Sequence, residues 1–104
     1  MGASERRKGA EAERQVAALL AESLGIAVKR KLGQARDGGD DIQVGRFRLE
    51  VKRRERIQID EWCAQVEAAA GHGDIPVVVY RRSGQPWRAV LRLEDLIPLI
   101  RGEL

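Results

Sequence analysis

The chain has 104 residues, 43% of them hydrophobic, with 19 Lys and Arg against 16 Asp and Glu. That length is one domain with one modest core. No run approaches the ~20 apolar residues of a membrane span and no charged-then-apolar opening resembles a signal peptide, so a cytoplasmic protein with no membrane partner is expected. The single cysteine, Cys63, excludes an internal disulfide and a cysteine-based zinc site; it falls in a helical pattern and reads as packing.

Charge is unevenly spread. From Lys29 to Arg56 ten cations accompany five carboxylates, whereas Ile57 to Asp74 carries four carboxylates and no Lys or Arg. A basic strip around an acidic centre suits a polyanion held over a metal. A solvated charged face accounts for the pattern equally well.

Residues 1–8 are small and charged and are expected to be frayed. A helix is predicted from Gly9 to Ser23, with Val16, Ala17, Leu20 and Leu24 as its buried stripe and Gly25 as its stop. Glu13 lies on that stripe, where a carboxylate is costly unless paired or metal-bound. Ile26 to Leu32 reads as a first strand with a basic end. Gly33 to Gly39 reads as a loop, and the paired glycines Gly38-Gly39 lead into Asp40-Asp41.

The stretch Asp40 to Lys52 reads as a tight hairpin. Ile42 and Val44, then Phe47, Leu49 and Val51, alternate with polar residues, and Gly45-Arg46 fits a two-residue type II′ turn. Counting outward pairs Val44 with Phe47, Gln43 with Arg48, Ile42 with Leu49 and Asp41 with Glu50. Two carboxylates so opposed repel unless something positive lies between them. A hard divalent cation such as Mg²⁺ answers that need with oxygen ligands, and Lys52 lies two residues beyond Glu50 on the same side. Two carboxylates and a lysine converging on one strand pair suit metal-assisted hydrolysis of a phosphodiester.

A second helix is predicted from Asp60, as N-cap, to Ala70, with Trp62, Cys63, Val66 and Ala69 on its apolar side and Gln65 at the edge. His72, the only histidine, reads as a loop residue between glycines. Ile75 to Tyr80 should be a central strand buried on both faces, with Pro76 tolerated at its start. Trp87 to Leu93 is a strand beside it. Glu94 to Arg101 is a short helix, in which Pro98 is tolerable only near the first turn. Trp62 and Trp87 read as core residues before interface residues. The order is α-β-β-β-α-β-β-α, an α/β domain over residues 9–104 with a central mixed β-sheet flanked by helices.

Gly39-Asp40-Asp41-Ile42 followed by Glu50-Val51-Lys52, with Glu13 on a preceding helix, resembles the PD-(D/E)XK nuclease signature. Lys8-Gly9-Ala10-Glu11-Ala12-Glu13-Arg14 resembles the opening of archaeal-type Holliday junction resolvases and their small phage-encoded relatives. The resemblance implies a restriction-endonuclease-like fold, Mg²⁺-dependent phosphodiester cleavage (Mn²⁺ being the expected substitute), and a homodimer acting in DNA recombination. Carried over by position, Asp41 and Glu50 are metal ligands, Glu13 supports the metal and its waters, Lys52 orients or activates the attacking water or stabilises the charge that develops on the phosphate, and Gln65 matches a polar residue on the next helix. The usual proline before the aspartate is Asp40 here, so Asp40 and Asp41 compete for the ligand role; strand alternation favours Asp41. Lys29, Arg30, Lys31, Arg36, Arg53, Arg54 and Arg56 are the expected DNA contacts. At this length shape is read through phosphates before bases, which points to branched DNA. Two other readings keep the same residues: a non-catalytic junction- or fork-binding module, and a structural salt-bridge ladder in a protein-interaction domain.

Overall fold

The computed structural model describes the backbone of residues 3–31 and 41–104 and the side chains of residues 7–28 and 42–104. The predicted loop Gly33 to Gly39, with Arg36, and Asp40 lie outside the described residues. The elements are α1 (Ala3–Leu24), β1 (Lys29–Lys31), β2 (Asp41–Val44), β3 (Phe47–Arg53), α2 (Ile59–Ala69), β4 (Ile75–Arg81), β5 (Arg88–Val90) and α3 (Leu93–Glu103). This is the expected α/β order and a restriction-endonuclease-like architecture. One five-stranded sheet runs β1-β2-β3-β4-β5. Every neighbouring pair is antiparallel except β3 and β4, which are parallel and joined through α2.

Alternation along β3 and β4 separates two cores. Ala12, Val16 and Ala17 of α1 cluster with Ile42, Leu49, Val51, Ile75 and Val77. Trp62 and Val66 of α2 cluster with Val78, against which Tyr80 and Val90 pack. The β3 residues between the apolar ones, Glu50 and Lys52, pair with Val78 and Tyr80. Laterally paired residues share a face, so these two lie on the α2 side of the sheet.

Several boundaries differ from expectation. α1 begins at Ala3, where a frayed end was predicted. The residues there, Ala, Glu, Arg and Lys, are good helix formers and carry the helix outward. Gly25 has φ +68 and donates its N–H to the Ala21 carbonyl at 2.8 Å, a left-handed cap that ends the helix at Leu24. Among the described residues β1 is Lys29–Lys31, since β2 ends at Val44 and leaves Ile26 and Ala27 nothing to pair with; Leu32 lies outside them. The N-cap of α2 comes two residues earlier than expected. Gln58, not Asp60, occupies the N-cap, and its carbonyl receives the Trp62 N–H at 3.0 Å. Asp60 and Glu61 sit instead in the first turn, where negative charge favours the helix dipole. β5 spans Arg88–Val90, and its ladder ends at Val78–Val90 because Arg92 already caps α3. Pro98 is inside α3, beyond its first turn. The helix tolerates it because α3 is a surface helix with no buried residue, so the carbonyl that Pro98 leaves unpaired meets water.

Candidate active site

The hairpin follows from its turn. Gly45 has φ +55, and among the described residues no other amino acid than glycine has a positive φ, so Arg46 does not. One left-handed residue followed by an ordinary one is the type II′ pattern, whose twist matches the strands it joins. The register is Val44 with Phe47, Gln43 with Arg48, Ile42 with Leu49, and Asp41 with Glu50. The turn end is fixed to the loop after α2. Gln43 Nε2 donates to the Gly45 carbonyl at 2.9 Å and to Asp74 Oδ1 at 3.3 Å, and Ile75 N–H donates to the Arg46 carbonyl at 2.7 Å.

At the other end of the hairpin the charged residues are buried. Glu50 is 7% exposed, Lys52 6% and Glu13 3%. Lys52 Nζ lies 3.6 Å from Glu50 Oε1. Burial without compensation would cost each of them several kcal/mol, and the ion pair offsets part of it. The structure therefore brings Glu50 and Lys52 together, and the register sets Asp41 directly opposite Glu50. Glu13 is buried on the α1 side, between Ala12 and Val16, whose cluster includes Ile42, Leu49 and Val51. Gln65 lies on α2, the helix that covers the Glu50–Lys52 face, but is exposed, as is His72. Among the described residues no three carboxylate, histidine or cysteine side chains gather as a metal cluster. The donors that the register aligns, Asp41 and Glu50, are oxygen-only, which fits a hard divalent cation.

Beyond Arg53 the chain turns away under cations. Lys8, Arg53, Arg54, Glu55 and Arg56 line a cleft of about 240 Å³. Arg53 Nη2 reaches Ser83 Oγ at 3.3 Å, and the Ser83 N–H donates to Glu55 Oε2 at 3.0 Å. Hydrogen bonds from Ser83, its backbone N–H first, hold the Glu55 carboxyl below its ordinary pKa, helped by the charges of Lys8 and Arg53. Arg53, Arg54 and Arg56 thus share one concave surface, and Lys8 joins them. Sequence reasoning placed Lys8 only within a motif; its meeting with Arg53 depends on how α1 crosses β3. Lys29, Arg30 and Lys31 form the edge strand and pair with Gln43, Ile42 and Asp41.

An α/β core with an acidic pair and a lysine on adjacent central strands is the arrangement of the PD-(D/E)XK nucleases. The chain belongs to the family described as "phage putative PDDEXK endonuclease", whose model matches residues 4–102. No curated protein and no solved structure matches it. The family places the chain among nucleases, enzymes that bind nucleic acid, and PD-(D/E)XK nucleases generally use divalent metals. No helix among the described residues is long and apolar enough to cross a membrane.

Proposed function

We propose that this nuclease is a metal-dependent endodeoxyribonuclease that cuts phosphodiester bonds in branched DNA, in the manner of the resolvases it resembles. The observation that carries the reading is the hairpin register. It sets Asp41 opposite Glu50 and leaves Lys52 in contact with Glu50, beside a basic cleft. Asp41 and Glu50 would hold Mg²⁺, or Mn²⁺ in its place, with Glu13 in support, and the bound ion would offset phosphate charge and acidify water. Lys52 would place its ammonium beside the scissile phosphate, steadied by Glu50, and offset the charge that develops there. Gln65 would act from α2 as a polar contact to substrate. Arg53, Arg54 and Arg56, with Lys29, Arg30, Lys31 and Arg36, would hold the backbone through charge, independently of sequence.

The reading is tested with purified protein and Mg²⁺ against four-way junction, fork, duplex and single-stranded DNA. Branched substrates should be cut fastest, and EDTA should stop cleavage while leaving binding. Asp41→Asn, Glu50→Gln and Lys52→Met should each lower the cleavage rate by about 10²-fold or more, with binding in EDTA near wild type. Cleavage by the triple variant at the wild-type rate would remove the site assignment. Junction binding with no cleavage under any divalent metal would instead favour the non-catalytic module.

A homodimer belongs to the same reading, since two copies could cut two strands symmetrically. In support, an apolar groove of about 400 Å³ opens on the α1 side of the sheet, with Leu20, Phe47, Leu49, Val77 and Leu99 among its walls. Leu93, Ile97, Ile100 and Leu104 of the C-terminal segment, which also supplies Leu99 to the groove, stand exposed. An open groove and an uncovered helix on one chain satisfy each other when two copies pair about a two-fold axis.

A further inference from the structure

The sheet register carries a row of side chains beyond the acidic pair. Lys52 pairs with Tyr80 on β4, and Tyr80 pairs with Arg88 on β5. All three lie on one face, so the row reads cation, phenol, cation, leading away from Glu50 toward the sheet edge. A cleft of about 230 Å³ opens there, lined by Ile57, Tyr80, Arg81, Arg82, Gln85 and Arg88. No carboxylate is among those residues.

Each member is placed by the fold. Tyr80 is half-buried, and its ring rests at 51° against Trp62, centroids 5.9 Å apart. The Arg81 guanidinium lies 4.9 Å over the Trp87 ring, and Nη1 donates to the Gln85 carbonyl at 3.5 Å. Its Nε is buried with no hydrogen-bond partner among the described residues. Arg82 and Arg88 are exposed, and no described carboxylate forms a salt bridge with either. A buried donor still lacking an acceptor, beside two unneutralised arginines, is a site short of an anion.

We infer that the Tyr80–Arg88 cleft is a second phosphate subsite, holding the backbone of the DNA strand beyond the bond that is cut. This rests on the nuclease reading of Glu50 and Lys52. Lys52 and Arg88 are two strand steps apart, about 10 Å. A nucleic-acid strand winds round its axis, so its consecutive phosphates are farther apart than the rise of about 3.4 Å, and the subsite lies about two nucleotides from the scissile position. Arg82 and Arg88 supply charge, and the Tyr80 hydroxyl is a neutral donor to a phosphate oxygen.

The test separates binding from chemistry. Arg82→Ala/Arg88→Ala and Tyr80→Phe are compared with wild type for binding of fluorescent fork DNA in EDTA across a salt series, and for kcat and KM in Mg²⁺. The double variant should weaken binding about 10-fold or more and flatten the slope of log K against log salt by about 2, one per lost contact. KM should rise while kcat stays within about twofold. Tyr80→Phe should weaken binding by a smaller factor. Arg82→Lys/Arg88→Lys should restore the salt slope, and Arg101→Ala, on α3 away from the cleft, should change neither quantity. Shortening the DNA to fewer than about two nucleotides on one side of the cut should erase the difference between the double variant and wild type. An unchanged salt slope in a folded double variant overturns the subsite; so does a fall in kcat at constant KM. Wild-type protein that binds but never cuts defeats the nuclease reading alone, because the salt slope still reports on the cleft.

Discussion

Glu50 and Lys52 show what a buried pair costs and gives. Each is less than a tenth exposed, and they touch at 3.6 Å. Removing one partner leaves a charge under α2. Lys52→Met should therefore destabilise the fold by about 3 kcal/mol in urea denaturation, and adding Glu50→Gln should recover part of that loss. A strictly additive double variant would mean that the pair is not coupled. Cys63 on α2 is half-buried. Burial first, then the charges of Glu67 and Asp60, push its thiol pKa up from the ordinary 9.0. Alkylation by iodoacetamide at neutral pH should be slower than for a free cysteine, and faster in Glu67→Gln; equal rates in both proteins would remove the electrostatic cause. The acidic pair was legible in the sequence because one glycine at a two-residue turn fixes every pairing outward from it. Lys8 and Arg88 were not, because their positions depend on α1 crossing β3 and on β5 docking against β4.

Elements were legible where the pattern was strong and blurred where a neighbour set the limit. The alternating hairpin and the apolar β4 run appear at the predicted residues; β1 starts later than expected, and β5 stops early because the chain leaves the sheet to begin α3 at Leu93. Gly45 is the narrowest hinge of the design. A Cβ there would meet nothing within 4 Å, so its φ of +55 is the whole cost of substitution. Gly45→Ala should lose about 1–2 kcal/mol, because this position of a type II′ turn needs the positive φ that glycine alone adopts without strain. A neutral alanine variant would show that the turn type is wrong. The Glu55–Ser83 contact ties the exit of β3 to the β4–β5 turn. A carboxyl whose pKa is lowered in the fold contributes stability above its ordinary value, here 4.5, and loses it as pH falls through the lowered one. The thermal midpoint of wild type should thus exceed that of Glu55→Gln near neutrality, and the gap should close in acid. A gap constant across that range would exclude the carboxylate as its source.

At the scale of the molecule, polar and apolar functions occupy different places. The basic clefts gather at the ends of β3 and β4, while the apolar groove opens on the α1 side against α3. Which apolar residues a fold leaves uncovered is a property of the packed whole. Leu93 reads in the sequence as the end of a strand and Ile97 as a residue of a short helix, yet both belong to α3 and stand exposed. Ile97→Glu should convert a dimer to a monomer in light scattering without lowering the unfolding midpoint, and a wild type that is monomeric at all concentrations would remove the second copy from that groove. The single parallel step in the sheet also sets an order in time. A two-residue loop closes the β2–β3 hairpin on a scale of about 1–10 μs. The β3–β4 ladder must wait for the whole of α2 to cross, because distant pairings come after the entropy of closing the loop has been lost. Asp41 and Glu50 can therefore be aligned while the chain is still unfolding and refolding around them, whereas Lys52 gains Tyr80 and its cover only when β4 arrives. A chain emerging from the ribosome up to Arg56 would already contain the acidic pair, and it would acquire the lysine's setting only when Tyr80 follows, 24 residues later.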